Sequence, residues 1–255
     1  MRTLSSGKPV KFPRPSGKDI TILFREAALT ETSNLETIAV IGGTGKEGKG
    51  LAFRWVKAGY PVIIGSRSTE KARAAVAELE ERLSDEEKAR LTGMENSDAV
   101  RKAQIAVLTV PYEFHKSILQ SLKAELSGKY LIDVTVPLVP PKVSTVQVPP
   151  EGSAALQAQL LLGDSVSVIS AFQNISFELL LSDEKINCDV LVCGKDGESR
   201  QVGLKLVKAA GLTGWDAGPL ENSIVAEGFT SVLIRINKQA GTKSAGIQIT
   251  NVPRD

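Results

Sequence analysis

Short β-branched apolar runs alternate with longer amphipathic stretches along most of the chain. The runs at residues 37–41, 61–65, 104–110, 130–134 and 166–170 have the length and continuity of strands covered on both faces. Between them, residues 46–58, 69–83, 112–126 and 153–162 read as helices, with Glu78 and Arg82 at a favourable i, i+4 spacing. Ser84-Asp-Glu-Glu87 has the form of a capping box and predicts a further helical turn. Strand alternating with helix predicts an α/β fold, a Rossmann-type doubly wound parallel sheet. After about residue 182 the pattern restarts on a smaller scale. A strand at 188–194, a helix at 198–210 and a strand at 214–216 precede a long apolar-striped helix at 219–240, opened by Pro219 and stopped by Gly241. Residues 246–250 read as a closing strand. The expected division is an N-terminal extension at 1–36, a Rossmann domain at 37–182 and a small C-terminal α/β domain at 183–255.

The first apolar run empties into glycine. In Thr37-Ile-Ala-Val-Ile-Gly-Gly-Thr-Gly-Lys-Glu-Gly48, Gly43, Gly45 and Gly48 read as G-x-G-x-x-G, and Gly42, Gly45 and Gly48 read equally as G-x-x-G-x-x-G. Residues without Cβ let a turn bend tightly, let backbone approach a pyrophosphate, and let the following helix pack on its strand. That helix directs its partially positive end at the phosphates. At the end of the second strand an NAD site usually carries Asp or Glu for the ribose hydroxyls. Here the sequence is Gly65-Ser-Arg-Ser68, with Lys71 one turn beyond. Ser66, Arg67 and Lys71 suit a 2′-phosphate, which favours NADP over NAD. Ser68 also fits the N-cap of the helix that follows, with Arg67 then a solvated neighbour, and the two roles are compatible.

At 255 residues with 42% hydrophobic and 24% charged, the chain can build a substantial core. It has no apolar segment long enough for a membrane span, and its start lacks an apolar signal core, so a cytoplasmic location is expected. A net charge of +2 gives no reason to expect nucleic acid as a partner. Residues 1–20 carry five basic side chains against Asp19, so the N-terminal extension is basic. It reads as a flexible solubilising arm or as an arm that contacts a ligand or partner, and residues 20–24 could form a short strand or pack on the body. Cys188 and Cys193 are expected to be two buried thiols on opposite faces of a strand, with no disulfide. His115, the single histidine, sits on a predicted helix away from any Cys or His cluster. It is expected to be a surface or helix-packing residue, and no metal site is expected. The apolar stripe of the 219–240 helix reads as core or as the seam of a homodimer.

Prolines 111, 137 and 140 follow the predicted strand ends where a cofactor crevice would open. An alcohol dehydrogenase needs a positioned proton donor, usually His, Lys or Tyr. Hydride transfer between two redox cofactors escapes that requirement, because each carries its own chemistry and the protein holds the rings together.

Seven motifs then carry a resemblance. Gly42-Gly-Thr-Gly45, Ile64-Gly-Ser-Arg67, Asp133-Val-Thr-Val-Pro-Leu138, Ala171-Phe-Gln-Asn174, Asp189-Val-Leu-Val-Cys-Gly194, Asp216-Ala-Gly-Pro-Leu220 and Ser244-Ala-Gly-Ile-Gln-Ile249, in this order, resemble the NADPH-dependent reductases of coenzyme F420, a 5-deazaflavin. The resemblance spans about residues 37–250. It implies a Rossmann domain with a small C-terminal domain, and hydride transfer between NADP(H) and F420. It implies NADP contacts at Thr44, Gly45, Lys46 and Glu47, at Ser66, Arg67 and Lys71, and at Val110 and Val139, with Pro111 beside them. Glu47 is a poor phosphate neighbour by charge, so its backbone amide is expected to bind. The segment 171–177, with Ile175 and Phe177, is expected to lie against the nicotinamide and deazaflavin rings, oriented by the amides of Gln173 and Asn174. Some archaeal relatives have His-Thr at those two positions, so a proton relay there does not carry over. Two readings stay open beside this one: an NADPH-dependent reductase of a flavin, ferric chelate or small carbonyl, and a non-catalytic NADP(H) sensor.

Overall fold

The computed structural model describes residues 35–254, so the basic arm and the element expected at 20–24 lie outside the described residues. The elements in chain order are β1 (Ile38–Ile41), α1 (Lys46–Lys57), β2 (Val62–Ser66), α2 (Thr69–Glu80), α3 (Asp85–Lys88), β3 (Leu91–Glu95), α4 (Asn96–Lys102), β4 (Ile105–Leu108), α5 (Tyr112–Ser121), α6 (Lys123–Leu126), β5 (Tyr130–Asp133), α7 (Ala154–Leu162), β6 (Ser167–Ser170), α8 (Phe177–Leu180), β7 (Asp189–Gly194), α9 (Gly197–Ala209), β8 (Thr213–Asp216), a 3₁₀ turn (Leu220–Asn222) and α10 (Ser223–Ala240). The strands form one sheet in the order β3-β2-β1-β4-β5-β6-β7-β8. All neighbours are parallel except β6 and β7, which pair antiparallel through Ile169 with Gly194 and Ser170 with Cys193. The strand order reverses between β1 and β4, and a crevice opens there at the carboxyl ends.

The central strands are buried on both faces because helices cover both. Every residue of β1 and β4 is buried. One side of the core gathers Ala39, Ile41, Ala106, Leu108, Leu119, Leu131 and Val168. Trp55 of α1 is fully buried, donates its indole N–H to the Leu206 carbonyl at 2.9 Å, and meets the Phe172 ring edge-on at 5.7 Å. It thereby ties α1 to α9 and to the segment after β6.

The structure departs from the sequence reading in five places. Strand β3 and helix α4 have no counterpart in that reading. Gly93 interrupts β3 because a Cβ there would lie 2.8 Å from the Ala72 carbonyl carbon, so the residue that weakens the strand signal is the one that lets α2 pass. The helix expected over 112–126 breaks into α5 and α6 at Leu122. Helix α2 ends at Glu80, which leaves Arg82 off the helix and over the Phe53 ring, while Glu78 pairs with Lys49. Residues 246–250 form no strand. The Asp189 N–H donates to the Ile247 carbonyl at 2.8 Å, but the next bond, from the Ile249 N–H, goes to the Asp189 carboxylate, and a side chain cannot continue a ladder. The last helix begins at Ser223, after a 3₁₀ turn, and Gly241 in the left-handed conformation stops it as expected. Cys188 and Cys193 are buried and free.

Candidate active site

Helix α1 begins on Gly45 with no side-chain cap, so the N–H groups of its first turn remain available. The starts of α2, α7 and α9 differ: Ser68, Ser153 and Asp196 cap them. The glycines before α1 are required for different reasons. Gly42 has a φ of +70° and a Cβ there would strike Val110. A Cβ on Gly48 would lie 2.6 Å from the Gly43 Cα and 2.7 Å from Thr109 Oγ1, so this glycine sets how closely α1 packs on the strand ends. A Cβ on Gly45 would meet nothing nearer than the Gly42 carbonyl oxygen at 3.7 Å. Its place in the turn keeps open the space in front of the free amides. The Asn96 carboxamide oxygen accepts from the Gly42 N–H at 3.3 Å and braces the turn from α4.

A cavity of about 520 Å³ extends from this helix start over the ends of β4, β5 and β6 to α10 and the C-terminal segment. Gly45, Lys46, Glu47, Val110, Pro111, Gln173, Asn174, Ile175 and Phe177 line it, as the sequence reading brings them together. Gly43 and Thr44 belong to the glycine turn, and Gly48 lies in the first turn of α1. Ser66 ends β2 and is buried, Arg67 is exposed with its guanidinium 5.7 Å from the Phe114 ring centre, and Lys71 is exposed in the first turn of α2. These three lie outside the cavity lining, beyond the glycine turn. Val139 is also outside it, 45% exposed, because the chain leaves the cavity wall after Leu138.

Gln173 and Asn174 differ from expectation in what their amides do. The Gln173 NH2 donates to the Asp133 carbonyl and to Ser170 Oγ, both at 2.8 Å, and the Asn174 NH2 donates to the Asp189 carbonyl at 2.7 Å. Their donors are spent joining β5, β6 and β7, which leaves only oxygens for a ligand. Among the described residues four buried side-chain polar atoms lack a hydrogen-bond partner, and three line this cavity: Glu47 Oε1, Thr135 Oγ1 and Gln173 Oε1. The fourth, Arg200 Nε, lies 2.8 Å from Asp216 Oδ1 in an ion pair. Orphaned buried polar atoms are costly, and three in one cavity mark groups that a ligand satisfies. Phe172, on the same wall, holds a φ of +73°, a conformation that favours glycine.

The sequence reading names Lys46 and Glu47 but misses Lys243 and the enclosure of the Glu47 carboxyl. Glu47, Tyr112, Lys46 and Lys243 all line the cavity, and the Lys46 ammonium sits 4.8 Å from the Phe177 ring centre. Burial pushes the Glu47 carboxyl up to about 8. Behind Tyr112, whose ring stacks on the imidazole, His115 is fully buried, which corrects the surface placement. Its Nε2 lies 2.7 Å from Asp133 Oδ2 and its Nδ1 3.1 Å from Gln157 Oε1. Burial opposes the imidazolium, but the Asp133 charge and the hydrogen bonds from Asp133 and Gln157 outweigh it, and the His115 pKa is raised. Glu227 of α10, also buried, accepts from the Ala154 and Ala155 N–H groups, and its carboxyl is pushed up to about 8, chiefly by burial.

A doubly wound sheet with an uncapped, glycine-cradled helix at its switch point defines a dinucleotide-binding protein of the Rossmann class. A family profile described as "NADP oxidoreductase coenzyme F420-dependent" matches residues 37–137. The F420-dependent NADP reductase of Methanocaldococcus jannaschii is 39% identical over 221 residues, 84% of this chain and 98% of its own. That of Methanothermobacter marburgensis is 39% identical over 223 residues, covering 85% and 99%. A solved structure from Arthrobacter sp. FB24, described as a candidate F420-dependent NADP-reductase, superposes with a TM-score of 0.72 at 23% identity over 85% of this chain and all of that one, a likeness of fold. The chain belongs to the F420-dependent NADP reductase family.

Proposed function

We propose that this chain transfers hydride between NADP(H) and the deazaflavin coenzyme F420 inside the cavity that runs from α1 to α10. The observation that carries the reading is the clustering of orphaned polar atoms and free helix amides around that one cavity. The first-turn amides of α1 take the pyrophosphate, with Gly45 leaving the approach open. Ser66, Arg67 and Lys71 take the 2′-phosphate on the β2 side. The Thr135 hydroxyl and the Gln173 oxygen offer one donor and one acceptor, which is the complement of a carboxamide. The two coenzymes supply the hydride donor and the hydride acceptor when bound. The apolar wall of Val134, Phe172, Ile175, Phe177 and Leu233 excludes water from between them. Residues 183–255 complete the far wall through α10 and Lys243.

We also propose a homodimer, acting in the cytoplasm. Ile224, Val225, Val232 and Ile236 on α10 are 38–54% exposed, and Val146 and Val148 in the loop that crosses that helix are 45% and 56% exposed. The two free buried thiols suit a reducing compartment. The decisive assay mixes purified protein, NADPH and oxidised F420 and follows the loss of the deazaflavin's visible absorbance. Steady loss is expected. NADPH binding with no loss at any pH from 5 to 9 would overturn the reading and favour another acceptor or a sensor.

A further inference from the structure

Three carboxyl groups with enclosed oxygens stand at or near the cavity, and two are satisfied. Asp133 holds His115 and the Thr135 N–H, and Glu227 holds the Ala154 and Ala155 N–H groups. Glu47 differs: it lines the cavity directly, and its Oε1 is enclosed without a partner. It lies one residue past Lys46 in the first turn of α1, and shares the cavity lining with Phe172 and Phe177. Ser66, Arg67 and Lys71, proposed above for the adenosine end, lie outside the cavity lining, whereas Glu47 is part of it. On that reading the Glu47 carboxyl belongs to the nicotinamide side.

The two redox states of the nicotinamide ring differ by one positive charge. A carboxylate in a poorly hydrated cavity lacks the water that would stabilise it, so a cation beside it is worth far more than in solvent. We propose that Glu47 is a specificity-determining residue that reads the charge of the nicotinamide ring. Ionised, it favours the cationic oxidised cofactor; protonated, it favours the neutral reduced one. The inference rests on the reading of this cavity as the NADP site.

Other charged groups near α1 are engaged elsewhere. Lys46 lies over the Phe177 ring, and Lys243 across the cavity pairs with Glu178 of α8 at 3.5 Å. Glu78 of α2 pairs with Lys49, Asp183 with Lys57, and Lys205 of α9 with Glu36. With the Glu47 carboxyl held up near 8 by burial, the free protein carries it protonated at neutral pH. Oxidised NADP then displaces a proton on binding, and NADPH does not. Affinity for NADP⁺ accordingly rises with pH up to about 8, while affinity for NADPH stays level and then falls.

The test is equilibrium binding of NADP⁺ and NADPH, separately, from pH 6 to 9.5, by calorimetry in buffers of different ionisation enthalpy. The 2′-phosphate titrates in both cofactors and cancels in their ratio. In the unmodified protein the ratio of NADP⁺ to NADPH affinity is expected to rise about tenfold or more between pH 6 and 8, with proton release on NADP⁺ binding only. Glu47→Gln, and Glu47→Leu as a second variant, should flatten the ratio and abolish the release while both cofactors still bind. A flat ratio in the unmodified protein, or an unchanged slope in both variants, overturns the inference and leaves the NADP site standing. Failure of the unmodified protein to bind either cofactor overturns both.

Discussion

Arg67 tests the cofactor choice most directly, because its role depends on the ligand's 2′-phosphate and on little else in the fold. It is exposed, touches the Phe114 ring, and ends no hydrogen-bond network of its own. Arg67→Ala is expected to weaken NADPH binding by about 1.5–3 kcal/mol, the worth of a charge-assisted contact, and to leave NADH binding nearly unchanged. Titration of both cofactors against both proteins checks this, and equal losses would remove Arg67 from the phosphate site. The role of Ser66 and Arg67 is what that titration decides, but at this scale the glycine turn was legible in the sequence, because a backbone that must approach a ligand needs particular residue types at fixed offsets. Thr135 and the burial of Glu47 were not. Their importance comes from missing partners, and which partners a side chain lacks depends on elements far away in sequence. The same distance hid the amide donors of Gln173 and Asn174, spent on carbonyls 40 and 15 residues away.

Among the elements, α5, β5, α7 and α10 are held together by buried polar groups as well as apolar packing. His115 on α5 is bonded to Asp133 at the end of β5 and to Gln157 on α7, and these two together with the Glu227 charge on α10 raise its pKa. His115→Ala leaves the Asp133 carboxylate buried without its main partner, and is expected to cost about 3–5 kcal/mol of stability. The pH dependence has a definite sign. A histidine whose folded pKa is raised contributes stability that is full below the ordinary value of 6.5 and is lost as pH rises through the folded pKa. Glu227, raised from 4.5 to about 8, likewise contributes below 4.5 and loses that contribution as pH rises to 8. The difference in Tm between the unmodified protein and His115→Ala should therefore be larger at pH 6 than at pH 9. Equal differences would mean that the folded protein holds the imidazole neutral throughout. None of this could be read from the sequence, where His115 stands on a helix between Phe114 and Lys116 and its partners lie 18 and 42 residues away. The elements that were legible are those whose own residues carry the period, as in β1, α1, β4 and α9. Those missed or misread, β3 and the 246–250 segment, depend on a passing helix backbone and on the Asp189 carboxylate respectively.

For the molecule as a whole, the open matter is what covers α10. Its inward face packs on α7 and closes the cavity through Thr230, Leu233 and Ile234. Its outward face carries Ile224, Val225, Val232 and Ile236. The loop bearing Val146 and Val148 lies against the same helix, with Val146 Cγ1 3.5 Å from where a Cβ on Gly228 would be and the Ser231 hydroxyl donating to the Thr145 carbonyl. The outward residues and the loop thus form an apolar strip, and exposed strips of that kind mark a contact surface. A second copy is the economical occupant, because a two-fold axis along α10 would set the same valines and isoleucines against themselves. The helix also forms the far wall of the cavity, so a partner on its outer face would hold that wall in place and link cofactor binding to assembly. Light scattering at micromolar protein is expected to give twice the 27.2 kDa chain mass. Val225→Lys with Val232→Lys, two exposed positions on the outward face, should halve that mass. The same variant should weaken NADPH binding if the wall is braced from outside. A monomer mass for the unmodified protein would reject the dimer, and unchanged NADPH affinity in the monomerised variant would separate assembly from the site.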